Sequence, residues 1–238
     1  RIENFAKLAV GFGVNVREGE DVLINTPVES PELARLITKV AYEKGARSVS
    51  IDWRDDTITR LTYDNQSQET LNEVPDWKIE KLKYQIADKK SNRISISAED
   101  PDLLKGLDEA KISEAIRENS KATKEFVKYT MNDIVSWLVI SVPTKKWAKK
   151  VFPDLSEDEA YDKLWKTILD VSRVEESWEA TKKNWKDHIN TLEEKAVYLN
   201  DHQFDKVHYE SSNGTDLWVK LPKDHIWTSA GSKNEKGD

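Results

Sequence analysis

Between Val22 and Trp53 the chain carries a strand, a helix with a marked start and stop, and a second strand. That order leaves few folds open. Val22–Asn25 is a short apolar run. Ser30-Pro31-Glu32 reads as an N-cap followed by proline at the first helical position, where a backbone N–H has no intrahelical partner to lose. Leu33, Leu36, Ile37, Val40 and Ala41 recur at helical spacing as a buried stripe, and Gly45 closes the helix as a C-cap. Ser48–Trp53 is the second strand. A strand, crossover helix and strand pair in parallel with a right-handed connection.

The rest of the chain extends this unit. Residues 2–13 read as a helix ended by Gly13, with Ile2, Phe5, Leu8, Ala9 and Phe12 on one side. Asp55–Tyr63 and, after Pro75, Trp77–Asp88 read as further helices. Arg93–Ala98 alternates and gives a third strand, and Glu99-Asp100-Pro101-Asp102 is an acidic turn into a short helix around Leu103-Leu104. Ile112–Thr130 is a long helix and Val135–Val142 a fourth strand, whose Trp137-Leu138-Val139-Ile140 run predicts burial on both faces. Pro143 stops it, Lys145–Val151 makes about two helical turns, and Ser156 with Glu159 forms a capping box before the next helix. Helices follow over 157–171 and 176–200, the second with Trp178, Trp185, Leu192 and Leu199 as one packing seam. Lys206–Glu210 and Thr215–Leu221 flank a hairpin turn through Asn213-Gly214.

The expected fold is α/β: a mostly parallel sheet of four or five strands with helices on both faces, followed by two long helices and a β-hairpin. The expected boundary lies near Leu199–Phe204. It separates an N-terminal α/β domain with long helices over 1–200 from the hairpin segment over 201–238. The polar final stretch from Ser229 is expected to be an exposed loop that was cut.

Charge and composition narrow the function. A net charge of −7 disfavours nonspecific binding to nucleic acid or to an anionic membrane. There is no cysteine, so disulfides and thiolate metal sites are excluded, and any zinc or cobalt needs His, Asp or Glu; only four His exist. No run reaches the apolar length of a membrane span, and RIENFAKLAVGFG lacks the pattern of a signal peptide, which makes a cytoplasmic location the expectation.

Candidate chemistry is sparse. The turn after the first strand, NTPVES, lacks the glycines that let a backbone approach a pyrophosphate, so Asp52 at the second strand's end does not make a dinucleotide site. The acids at strand ends are Glu29, Asp52, Asp55, Asp56, Glu99, Asp100 and Asp102. They sit where open parallel sheets bind ligands and could hold a hard cation, but caps and turns, which Asp and Glu favour for local reasons, are the better account of acids there. His188 lies beside the seam of the long helix, outside any HExxH pattern, and His202, Asp205 and His208 recur at spacings of three across a helix end and a strand start. Tetrahedral zinc needs three or four converging ligands, which this spacing does not supply by itself. Lys145, Lys146, Lys149 and Lys150 around Trp147 suit a phosphate backbone or an acidic partner, or simply the wet face of an amphipathic helix. No GxSxG and no cysteine nucleophile gives covalent hydrolysis a foothold.

Three longer strings carry a resemblance. PTKKWAKKVFPDL with the following helix bearing Tyr161 and Trp165, NGTDLWVKLPKDHIW over Asn213–Trp227, and GVNVREGEDVLI over Gly13–Ile24 resemble the thermophilic metal-dependent aminopeptidases, in the same order. The resemblance implies a cytoplasmic, homodimeric parent that releases N-terminal residues from peptides with two divalent ions, zinc or cobalt, which activate a water and polarise the scissile carbonyl. It makes 201–238 the hairpin and start of a truncated catalytic domain, and places the Glu, His and Asp ligands in that second domain past the point where this sequence stops. No catalytic, metal-ligating or substrate-binding residue is therefore carried onto any position here, and Trp147, Phe152-Pro153, Gly214-Thr215-Asp216 and His225 match as structural positions. This stretch alone is expected to fold without catalysing and to hold no cofactor. The alternative is a stand-alone α/β module that binds a small ligand or a protein at its strand ends.

Overall fold

The computed structural model describes residues 1–238 except Glu99, Pro101, Ala230, Ser232, Lys236 and Asp238. Among the described residues four strands form one parallel sheet: β1 (Asp21–Pro27), β2 (Ser48–Arg54), β3 (Asn92–Ser97) and β4 (Trp137–Ser141), in the order β2-β1-β3-β4. α2 (Pro31–Glu43) connects β1 to β2. The connection from β2 to β3 runs back past β1 through α3 (Asp56–Asn65), α4 (Gln68–Asn72), α5 (Asp76–Leu82) and a π-helical continuation, Lys83–Asp88. α6 (Glu109–Met131) joins β3 to β4. Right-handed crossovers that step in opposite directions put α2 on one face of the sheet and α3–α6 on the other. The expected α/β architecture with helices on both faces is the one observed.

Register explains how differently the two faces are built. Leu23 pairs with Ser50 and Arg93, Ile24 with Ile51 and Ile94, and Ile94 with Leu138. Because side chains alternate along a strand, one face carries Val22, Ile24, Ile51, Ile94, Ile96, Leu138 and Ile140. The other carries Leu23, Asn25, Ser50, Asp52, Arg93, Ser95, Trp137 and Val139, of which only Leu23 is buried. The apolar face is the core. α1 (Ile2–Leu8) and its π-helical continuation Ala9–Gly13 pack on α2, and Phe5, Val10, Leu33, Ile37, Ile24 and Ile94 are buried. Gly13 reaches the sheet itself, against Leu138.

The expectation that β4 is buried on both faces fails. β4 pairs only with β3, so it is an edge strand, and Trp137 is 46% and Val139 55% exposed. Its apolar composition comes from Ile140 and the half-buried Leu138 on the core side; the outward pair is left uncovered. Smaller differences also have local causes. The expected helices over 2–13 and Trp77–Asp88 widen into π turns in their last five and six residues. Leu103-Leu104 lies in hydrogen-bonded turns and not in a helix. α4, capped by the Ser67 side chain accepting from Thr70 N–H, was not expected, because its five residues present no apolar stripe.

α7 (Lys145–Val151) packs on α8 (Glu157–Val171), whose start is the anticipated capping box of Ser156 and Glu159. α9 (Trp178–His202) follows, its first seam residue, Trp178, meeting Phe12 edge-on at 6.3 Å. The chain divides into two compact units, Arg1–Thr181 with Asn234–Asp238, and Lys182–Lys233. The second unit contains the later turns of α9 and the antiparallel hairpin of β5 (Lys206–Glu210) and β6 (Asp216–Lys220). Its turn has Gly214 at φ +93, with Asn213 Oδ1 accepting from the Thr215 N–H and hydroxyl. Within this unit Asn200 clamps Trp227 twice, donating to its carbonyl at 2.9 Å and accepting from its N–H at 2.7 Å.

Candidate functional site

The carboxyl ends of β1, β3 and β4 open onto a cleft of about 1250 Å³. Its walls come from separate loops: Glu29 after β1, Asp56, Arg60 and Asp64 on α3, Asp100 and Asp102 after β3, and the four lysines of α7, with Tyr161 of α8. This is the place where an open parallel sheet offers its strand ends to ligands.

The structure gives each described acid singled out in the sequence a partner or a place. Asp55 caps α3, accepting from Ile58 N–H at 3.0 Å. Asp52 pairs with Lys81 at 2.7 Å on the polar face of the sheet. Asp56 accepts from Asp100 N–H through Oδ2 at 3.3 Å and faces Arg54 Nε at 3.7 Å. Asp100 pairs with Lys146 at 2.7 Å and Asp102 with Lys150 at 3.2 Å. Glu29 lines the cleft. Glu99 lies outside the described residues.

Three of the four lysines in the basic cluster therefore meet a carboxylate, and the fourth, Lys149, meets backbone carbonyls. Lys145 pairs with Asp158 at 2.7 Å, and Lys149 donates to the carbonyls of Pro153 and Leu155. The Asp158 carboxylate raises Lys145 above its ordinary pKa, and Asp100 does the same to Lys146. Burial pushes the Asp100 carboxyl up, but the Lys146 ammonium, the Asp102 N–H and the Lys150 charge together outweigh it and hold it below its ordinary value. Sequence reading passed over Arg60, which donates to the carbonyls of Leu103 at 2.6 Å and Lys105 at 3.1 Å and so ties the loop after β3 to α3. It also passed over Arg93, whose burial on the polar sheet face lowers its pKa against the opposing charge of Asp52. A lone arginine, on a helix as with Arg60 or in an alternating strand as with Arg93, gives no local sign of either role.

The histidines are occupied elsewhere. His188 meets Trp185 edge-on at 5.8 Å. His202 stacks on Phe204 and bonds the Tyr198 carbonyl through Nδ1. His208 stacks on Trp218 and bonds Asp216 at 2.7 Å, and His225 bonds the Pro222 carbonyl. His202, Asp205 and His208 do not make a ligand set: among the described residues no three His, Asp or Glu side chains converge to hold a metal ion. The donors present among the described residues thus do not fit a dinuclear centre. No helix among the described residues is long and apolar enough to cross a membrane.

Comparison with known proteins places this geometry. The chain is 38% identical over 237 residues to aminopeptidase AmpS of Bacillus subtilis and 39% identical over 238 residues to aminopeptidase PepS of Streptococcus thermophilus. Each alignment takes in 100% of this chain and 57% of the relative, so the chain spans little more than half the length of the curated relatives it matches. Among solved structures, wild-type AmpT from Thermus thermophilus superposes with a TM-score of 0.88 at 28% identity, covering 100% of this chain and 57% of that one. A family model described as thermophilic metalloprotease (M29) matches residues 1–238, and the chain belongs to that family.

Proposed function

We propose that this chain is the N-terminal part of a metal-dependent aminopeptidase, releasing N-terminal amino acids from peptides. The observation that carries the reading is the family match over the whole chain together with relatives, named as aminopeptidases, of which it spans 57%. In this reading two divalent ions, zinc or cobalt, are held by Glu, His and Asp side chains in the length of the relatives that this chain does not span. The ions supply a polarised water and carbonyl. The parallel sheet and its helices help to enclose the site, and the whole enzyme works as a cytoplasmic homodimer. The segment 201–238 begins the catalytic domain, and residues 1–200 form the preceding one.

Hydrolysis of a leucine chromogenic amide tests this. The 1–238 chain, shown to unfold cooperatively, should give no turnover with added cobalt or zinc. A version lengthened to match its relatives should give turnover that a chelator abolishes. Metal-dependent turnover by residues 1–238 alone would overturn the proposal. The strand-end cleft favours a second reading, a self-sufficient binding module. That reading requires saturable binding that the added length leaves unchanged.

A further inference from the structure

The hairpin of β5 and β6 has one apolar face and one polar face. Its register pairs Val207 with Val219 and Tyr209 with Leu217, and side chains directly opposite each other share a face. Lys206 with Lys220, His208 with Trp218 and Glu210 with Asp216 make the other face. The apolar face is open: Tyr209 is 52%, Leu217 51% and Val219 39% exposed, and Val207 is half-buried. Alternation of this kind belongs to antiparallel strands packed on one side and wet on the other, so these four side chains specify a layer against them.

The polar face is answered by its own neighbours. His208 stacks on Trp218 at 4.0 Å and bonds Asp216, and the Lys206 ammonium lies 4.3 Å from the centre of the Trp218 ring. A dry cover on this side would strip water from the charges of Lys206, Glu210, Asp216 and Lys220, at a large cost. The apolar side carries no such cost.

The hairpin's own stability selects what closes that side. A two-stranded hairpin is marginally stable at best by itself, so its cover must be present whenever it folds. A transient peptide or partner does not meet that condition, and a second copy meets it only at high concentration. A part of the same polypeptide meets it at every concentration. The relatives contain such a part, since this chain spans 57% of their length.

We propose that the face of Val207, Tyr209, Leu217 and Val219 seats an apolar segment of the catalytic domain, in the length that the relatives have and this chain does not span, while the His208–Trp218 face stays in water. The proposal rests on the reading of this chain as the N-terminal part of a longer enzyme.

Hydroxyl-radical footprinting read by mass spectrometry tests this on the 1–238 chain and on the version lengthened to match its relatives. Labelling of Tyr209 and Leu217 should fall severalfold in the longer protein, with Trp218 labelled equally in both. Leu217→Lys should lower the melting temperature of the longer protein and leave that of the 1–238 chain unchanged, because only the former buries the new charge. Trp218→Lys, on the wet face, should be tolerated at both lengths and decides the matter if the Leu217 variant fails to fold: a loss of stability confined to the longer protein would overturn the proposal. Equal labelling of Tyr209 at both lengths would overturn it too, as would protection of Trp218 together with Tyr209. Protection within the 1–238 chain that rises with its concentration would assign the face to a second copy and overturn it as well. Chelator-sensitive turnover reports on the enzyme reading separately. An active longer protein with Tyr209 still labelled sinks this inference alone, and a folded, inactive one with Tyr209 protected upholds it while sinking that reading.

Discussion

Lys146 Nζ and Asp100 Oδ2 meet at 2.7 Å across 46 residues of sequence, one wall of the strand-end cleft holding the other. The carboxylate is largely sheltered and the ammonium largely exposed, so the pair is closer to a surface bridge than to a buried one and is worth correspondingly little. Asp100→Asn should lower the melting temperature by about 1–3 °C at pH 7. The pH dependence follows from the sign of the shift. Folding holds the Asp100 carboxyl below its ordinary value of 3.8, so its contribution is present above that value and disappears as the pH falls through the folded one. Thermal scans of both proteins should therefore converge as the pH falls below the ordinary carboxylate range. A gap that persists there would mean that the substitution acts through packing.

The start of α8 permits a sharper test. Ser156 Oγ accepts from Glu159 N–H at 3.3 Å, and the Glu159 carboxylate returns to the Ser156 N–H at 3.0 Å. Ser156→Ala removes one half of this exchange and should cost about 1 kcal/mol, read by urea denaturation. An unchanged midpoint would show that water replaces the cap without loss.

How much of this was legible depends on how local the cause is. Pro31 at the start of α2, Gly45 after its end and the Ser156 box act within one helical turn, and the sequence placed all of them. The edge position of β4 was not readable from Trp137-Leu138-Val139-Ile140, because strand order is set by crossover direction and not by the strand's own residues. The alternation in Arg93–Ser97 did hold a clue that went unused: a strand in a parallel sheet that alternates Ile with Arg and Ser has one apolar face, not two. Arg60 and Leu103, Lys146 and Asp100, and Lys150 and Asp102 are each separated by more than forty residues, so composition could name the charges but not pair them.

Gly45 should tolerate no side chain. It stands at φ +91, and an added Cβ would lie 3.1 Å from the Glu18 backbone and side chain. It also donates to Tyr42 O while Ala46 N–H reaches back to Ala41 O, closing α2 as a left-handed cap. Gly45→Ala should cost about 1–3 kcal/mol in chemical denaturation, with the far-UV spectrum retained. A neutral substitution would mean that the α2–β2 turn has a second conformation of equal energy.

Gly13 and Leu138 offer the most informative experiment, because they couple the first helix to the edge strand. A Cβ on Gly13 would collide with Leu138 Cδ2 and lie 3.3 Å from Cγ. The colliding atom is the far end of a side chain on a strand open to solvent on its other face, so the leucine can rotate at some cost. Gly13→Ala should therefore destabilise by about 1–3 kcal/mol, the range for overpacking. Leu138→Ala removes a half-buried side chain and should cost about 1–3 kcal/mol by itself. Together the two should cost less than their sum by about 0.5–2 kcal/mol, since the new methyl fills space the leucine vacates. A double-mutant cycle in urea measures that difference directly. Strict additivity would mean that the helix recoils from the sheet when Gly13 is replaced, so that Leu138 never feels the added methyl. In that case the contact between the π-helical turn and β4 would be an adjustable one, and the edge strand would owe its position to β3 alone.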